Sequence, residues 1–279
     1  MAGGLMAGKR GLIMGVANNR SIAWGIAKAA HDQGAELAFT YQGEALQRRV
    51  EPLAAEVGSN LVLPCDVTNP AALDATFDAI KANWETLDFV VHAIAFSDKD
   101  ELTGRYVDTT PSNFSRTMDI SVYSFTAVAQ RAEALMTNGG AMVTLTYYGA
   151  EKVLPNYNVM GVAKAALEAS VRYLANDLGP KGIRVNAISA GAIKTLASSG
   201  LADLRSMLAS QEANAPPRRN VTTAEVRTAA LYLLSGRARR MTGPIHYVAR
   251  GYSTLCSNMI AKATGAFRRG WTACNAQAD

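Results

Sequence analysis

From Lys9 onward the sequence alternates short apolar, β-prone runs with segments of helical period, and few architectures accept that order. Gly11-Leu-Ile-Met-Gly15 reads as a strand, and Ser21 to Gln33 as a helix with Ser21 at its N-cap. Residues 35–41 read as a second strand before a helix over 44–56, and residues 60–66 as a third before a helix over 70–84. Residues 87–95 form a fourth, almost continuously apolar, as burial on both faces requires. A long helix is expected from Pro111 to Met136, then a strand over 141–147, a helix from Asn156 to Asp177 and a strand over 183–189. Amphipathic helices follow at 195–213 and 223–235, and a last strand at 244–248. Strands separated by helices run parallel with crossovers. The expected fold is therefore a Rossmann-type, doubly wound α/β domain: a mostly parallel seven-stranded sheet with helices on both faces. No linker, repeat or low-complexity segment interrupts residues 1–252, and a basic tail occupies 253–279.

Composition excludes several classes. Apolar residues make up 49% and the net charge is only +5, which rules out a disordered chain. Three scattered cysteines (Cys65, Cys256, Cys274) make neither a disulfide scaffold nor a metal-ligand pattern, so no metal is expected. No apolar run is long enough to span a bilayer, and the N-terminus lacks the pattern of a secretory signal, so a cytoplasmic protein without a membrane partner is expected. The charge is unevenly placed: residues 1–216 are net −3 and residues 217–279 net +8. That excess comes without a nucleic-acid-binding motif or interleaved aromatics, so no nucleic acid is expected.

Ligands of such sheets sit at the carboxyl ends of the strands. After the first strand, Gly15 permits close backbone approach, and the helix from Ser21 and Ile22 presents free N–H groups to an anion. Gly25 suits close packing of that helix on the sheet, and a turn without a ligand explains the same residues. The second strand ends at Gln42, neither the carboxylate typical of an NAD site nor the arginine of an NADP site; it can bond a ribose hydroxyl, which favours NADH over NADPH. Asp66 and Val67 end the third strand, where the carboxylate either accepts from an adenine amino group or caps the next helix. His92, inside an apolar strand, reads as a core histidine.

The sharpest feature is Tyr157 and Lys164, seven residues apart and so on one side of a helix that follows the fifth strand. A nearby ammonium favours the phenolate and strengthens the phenol as a donor. The same lysine can hold ribose hydroxyls. Tyr148 and Lys152 fit a shorter spacing, but they straddle a strand end and a loop, and that match reads as coincidence.

On these residues the chain resembles the short-chain dehydrogenase/reductase superfamily and, within it, the bacterial NADH-dependent enoyl-[acyl-carrier-protein] reductases, whose pair is Tyr-x6-Lys. The resemblance covers roughly residues 5–248, through Ser21-Ile-Ala-Trp-Gly25, Ala38-Phe-Thr-Tyr-Gln42, Pro155-Asn-Tyr-Asn-Val-Met-Gly161 and Arg184-Val-Asn-Ala-Ile-Ser-Ala-Gly191. It implies hydride transfer from NADH to a trans-2-enoyl thioester carried on acyl carrier protein, in fatty-acid synthesis, by a homotetramer. It implies that Tyr157 hydrogen-bonds the thioester oxygen, that Lys164 holds the nicotinamide ribose and that Tyr147 is a second active-site tyrosine. Gly15, Ser21, Ile22, Gln42, Asp66, Val67, Ile94 and Ile193 fall on the family's cofactor contacts. Residues 194–213 correspond to its substrate lid, with Leu196, Leu201 and Met207 placed to cover an acyl chain beside Ala95.

Departures from the pattern carry their own expectations. Ala95 stands where the family usually has glycine, so the nicotinamide pocket should be narrower and flat aromatic inhibitors weaker. Ala192 replaces an expected proline, leaving the start of the lid less rigid. Ala202 and Ser206 stand where basic residues typically meet the carrier protein, although Arg205 remains. Ala249-Arg250-Gly251 replaces Asp-Gly-Gly. A reductase of another carbonyl or enone, or a cofactor-binding paralogue without activity, also fits the sequence.

Overall fold

The computed structural model describes residues 4–195 and 204–255. Seven strands, β1 (Arg10–Met14), β2 (Glu36–Tyr41), β3 (Leu61–Pro64), β4 (Phe89–His92), β5 (Gly140–Thr146), β6 (Ile183–Ala190) and β7 (Ile245–Val248), form one sheet in the order β3-β2-β1-β4-β5-β6-β7. Every neighbouring pair is parallel. The chain leaves β1 toward one edge and returns at β4 toward the other. The crevice of such a sheet therefore opens where β1 and β4 lie side by side.

The helices are α1 (Ile22–Asp32), α2 (Gly43–Glu56), α3 (Pro70–Trp84), α4 (Pro111–Met118), α5 (Ser124–Leu135), α6 (Asn158–Leu178), α7 (Leu204–Asn214) and α8 (Thr223–Leu234). Strand residues alternate between two cores. Leu12, Met14, Val90 and Met142 pack in one layer with residues of α3, α5 and α6, while Ile13, Phe39, Val91 and Val143 pack in the other with α1, α2 and α8. Nearly all of these side chains are fully buried, which explains why the strands read as continuous apolar runs.

Three expectations are corrected. The helix expected from Pro111 to Met136 is interrupted by a π-turn, Asp119–Tyr123, between α4 and α5. Apolar periodicity does not reveal it, because one extra residue per turn leaves the composition unchanged. Gly25 serves helix–helix packing instead of helix–sheet packing: a Cβ there would lie 2.8 Å from the Thr223 methyl on α8. The third helix is capped by Asn69, whose side chain accepts from Ala71 N at 3.0 Å with Pro70 following, so the capping role left open for Asp66 belongs to Asn69. Of the segment expected to be helical over 195–213, residues 196–203 lie outside the described residues, and the helix is described from Leu204.

Candidate active site

The ends of β1, β2, β3 and β4 enclose a cleft of about 970 Å³. Six of the residues expected to touch a cofactor or substrate are in its walls: Gly15, Gln42, Asp66, Val67, Ile94 and Ala95. Gly15 has φ +93°, and a Cβ there would lie 2.1 Å from the Ala93 carbonyl oxygen, so β1 and the residues after β4 approach as only glycine allows. Ser21 stands at the N-cap of α1, as expected, but its side chain makes no capping bond. Its hydroxyl instead accepts from the backbone N–H groups of Ala17 (3.0 Å) and Asn18 (3.1 Å), shaping the loop that leads into the helix. No side chain bonds the first turn of α1, which begins at Ile22.

Gln42 and Asp66 meet each other. The Gln42 amide donates to Asp66 Oδ2 at 3.0 Å, while Oδ1 accepts from Thr68 N (2.9 Å) and Thr68 Oγ1 (2.7 Å). Burial pushes the Asp66 carboxyl up, but the hydrogen bonds from Thr68 and Gln42 outweigh it and hold the group below its ordinary value. The carboxylate is thus charged and fixed at the cleft wall.

The Tyr–Lys pair is not in these walls but at the end of β5, the strand next to β4. Tyr157 immediately precedes α6, between two asparagines of positive φ, Asn156 (57°) and Asn158 (33°). Asparagine tolerates that region better than most residues. The Asn158 amide donates to the carbonyls of Glu101, Thr103 and Gly104 (3.2, 3.3 and 3.3 Å), tying the start of α6 to the loop after β4. The Tyr157 ring is buried and meets Tyr147 edge-on, with centroids 5.4 Å apart at 71°. Lys164 is buried two turns further along α6 and donates to the Leu145 carbonyl at 2.8 Å.

Burial pushes the Tyr157 phenol well above its ordinary value, with Tyr147 and Glu168 adding to the effect; burial does the same to Tyr147, with a smaller push from Tyr252. This differs from the expected tilt toward phenolate. Desolvation dominates, and the Lys164 ammonium is engaged by a backbone carbonyl. The phenol therefore holds its proton. Burial pulls the Lys164 ammonium down to about 8, against the opposing pull of the Glu168 carboxylate.

His92 is wholly buried between Thr144 Oγ1 (Nδ1, 3.2 Å) and Ser124 Oγ (Nε2, 2.8 Å), as a core histidine should be. Burial and the Lys164 charge hold it at about 3, so it is neutral. Tyr148 lies in a single turn, Tyr148–Ala150, and Lys152 is exposed, so that pair shares no helix.

Three polar residues escaped the sequence reading. Ser121, in the π-turn, accepts from Phe96 N at 3.0 Å and donates to Phe96 O at 3.1 Å, pinning the loop that carries Ala95. Glu168 is buried on α6 and accepts from Thr146 Oγ1 at 2.7 Å. Gln211, buried on α7, accepts from Ala192 N at 2.8 Å. That last bond changes the meaning of Ala192. Proline has no N–H to give, so what the chain loses in ring stiffness it recovers by anchoring α7 to the end of β6. Gln211→Leu would strand a buried N–H, and thermal unfolding should show a loss of about 1–3 kcal/mol.

Among the remaining predicted residues, Ile193 packs against the core layer that carries α1 and α8, and Met207 is half-buried on α7. Leu196, Leu201 and Ala202 lie outside the described residues, whereas Arg205 and Ser206 are exposed. Arg250 pairs with Glu225, which also receives Arg219 at 3.1 Å and closes the capping box of α8 with Thr222. The basic residue after β7 is thereby built into the start of a helix. Ala95 lies in the cleft wall. Ala95→Gly should therefore tighten binding of flat aromatic inhibitors, and unchanged affinity in a calorimetric titration would count against a steric role.

The residues present fit a dinucleotide. A glycine at positive φ gives close approach, an uncapped helix N-terminus suits a pyrophosphate, and a fixed carboxylate ends β3. Comparison with known proteins agrees with this geometry. The family model described as enoyl-(acyl carrier protein) reductase matches residues 15–253. The enoyl-[acyl-carrier-protein] reductase [NADH] 1 of Rhizobium meliloti is 66% identical over 254 residues, covering 91% of this chain and 93% of that protein. The enoyl-[acyl-carrier-protein] reductase [NADH] FabI of Rickettsia felis is 57% identical over 260 residues, covering 93% of this chain and 100% of that protein. Among solved structures, the enoyl-(acyl-carrier-protein) reductase of Anaplasma phagocytophilum in complex with NAD superposes with a TM-score of 0.87 at 55% identity, covering 91% of this chain and 95% of that one. The Bacillus cereus enoyl-acyl carrier protein reductase with NADP+ and indole naphthyridinone superposes with a TM-score of 0.89 at 52% identity, covering 91% and 99%. With this match running from the glycine after β1 to the turn beyond β7, the chain belongs to the enoyl-(acyl carrier protein) reductase family.

Proposed function

We propose that this protein reduces trans-2-enoyl thioesters on acyl carrier protein to acyl thioesters, using NADH, in bacterial fatty-acid synthesis. The observation that carries the reading is a buried Tyr157, its ring against Tyr147, with buried Lys164 two turns along the same helix, at the end of the strand beside the cleft. When bound, NADH supplies hydride to the β-carbon of the substrate. The reacting system then needs a donor where charge grows on the thioester oxygen, and the Tyr157 hydroxyl provides it without having to ionise. Lys164 has two N–H donors beyond the one spent on Leu145, and these bind ribose hydroxyls. Gly15, Ser21, Ile22, Gln42, Asp66, Val67, Ile94 and Ile193 hold the remainder of the cofactor. The charged Asp66 beside Gln42 favours NADH, because a 2′-phosphate there would meet a carboxylate. Tyr147 orients the Tyr157 ring, and Ala95, Leu196, Leu201 and Met207 surround the acyl chain.

Mixing the protein with NADH and crotonyl thioester tests this directly. NADH absorbance should fall, and a panel of simple ketones should leave it unchanged. Faster loss with a ketone would favour a carbonyl reductase instead. No described helix is long and apolar enough to cross a membrane. Exposed Tyr123, Val162 and Tyr173, at the π-turn and on α6, support assembly into a homotetramer, which sedimentation would resolve.

A further inference from the structure

Glu168 lies one helical turn beyond Lys164 on α6, and both side chains are buried. They engage consecutive residues of β5: Lys164 donates to the Leu145 carbonyl at 2.8 Å, and Glu168 accepts from the Thr146 hydroxyl at 2.7 Å. Tyr147 follows directly, with its ring against Tyr157. A buried carboxylate is costly, and a structural role at this position would be met as well by an apolar side chain. Its placement is informative because the only other buried charge on this stretch of α6 is the lysine proposed to hold the cofactor ribose.

We propose that Glu168 is a positioning residue for the active site, clamping the end of β5 through Thr146 and standing one helical turn from Lys164 as its buried counter-charge. The inference rests on the role assigned to Lys164 above. The other groups around the pair do not substitute for Glu168. His92 on β4 is neutral and Tyr147 and Tyr157 stay protonated; burial pushes the Glu168 carboxyl itself above its ordinary value, the Thr146 hydrogen bond opposes that, and Glu151 and Arg172 act on it with opposite signs. Burial drives Lys164 toward the neutral amine and the carboxylate opposes it. Removing the carboxylate charge therefore moves loss of the ammonium to lower pH.

Glu168→Gln keeps the size of the side chain and an acceptor for Thr146 but removes the charge. NADH affinity, read by fluorescence titration, should then match wild type at pH 6 and fall by about fivefold at pH 8, because a shift of about one pKa unit from about 8 cuts the ammonium fraction there from about a half to about a tenth. NMR of labelled lysines in the cofactor-free protein should show Lys164 titrating at lower pH than in wild type. Glu168→Asp, which retains the charge on a shorter stem, should preserve the wild-type Lys164 titration. Should Glu168→Gln fail to fold, Thr146→Val reads the same contact. It leaves the carboxylate unclamped, and the proposal requires Lys164 titration to change there too. An unchanged Lys164 titration, or an affinity loss equal at all pH values, would overturn the proposal. Because the lysine signal is read without cofactor or substrate, its outcome is independent of whether the protein reduces enoyl thioesters.

Discussion

Tyr157→Phe should lower kcat/KM for a crotonyl thioester by about 10²–10³-fold while leaving the unfolding temperature almost unchanged, the scale of a lost oxyanion donor. The substitution removes one oxygen and keeps the ring, so the edge-on contact with Tyr147 and the packing beneath Gly149 survive. NADH affinity should also survive, because the ribose-holding role falls to Lys164. The pH profile adds a second check. Burial keeps the phenol neutral far into the alkaline range, so an alkaline limb near pH 8 belongs to Lys164, which stands at about 8, and should persist in the residual activity of the mutant. Loss of that limb together with the hydroxyl would assign it to the tyrosine. Near-normal turnover would remove Tyr157 from the reaction altogether.

Gly15→Ala is the second large effect. An added Cβ would meet the Ala93 carbonyl carbon and oxygen at 2.6 and 2.1 Å, and both belong to rigid backbone at the end of β4. An alanine also resists φ +93°, a strain of about 1–3 kcal/mol before any clash is counted. The chain can relieve both only by parting β1 from β4 where the cleft begins. NADH binding should therefore weaken by at least tenfold, roughly 1.4 kcal/mol, with a lowered unfolding temperature. Gly25→Ala makes an instructive contrast. Its Cβ would press on the Thr223 methyl between α1 and α8, away from the cleft, so stability should fall while NADH affinity in the folded protein holds. Equal loss of binding in the two variants would mean that Gly15 acts only through global stability.

The parallel sheet was legible because its strands are buried on both faces and hence apolar along their whole length. Leu12, Ile13 and Met14 show this, pointing to alternate cores yet all fully buried. Parallel pairing followed from the crossovers, and Gly15, Gln42 and Asp66, read from the strand ends, line the cleft. What stayed hidden depends on partners distant in sequence. Glu168 looks like any helical glutamate until Thr146 is brought to it, and Ser121 like any helical serine until Phe96 is. Gln42 and Asp66 were each assigned separately to a ligand, and nothing local shows that they bond to one another first. The Tyr157 phenol was misjudged in a similar way, since spacing reveals the ammonium but not the burial that outweighs it.

The π-turn at Asp119–Tyr123 sets the angular phase between α4 and α5. Each residue of an α-helix advances about 100°, so removing one residue from the turn would rotate everything before it by that amount relative to α5. Ser121 would swing away from Phe96, and Asn113, whose side chain accepts from Asp98 N at 3.0 Å, would leave the same loop. Both latches on the residues following Ala95 would open together. The length of this helix is thus fixed to a single residue by the loop that leads into it, which folds back against its middle, and insertions or deletions should be tolerated at its exposed start far better than at its middle.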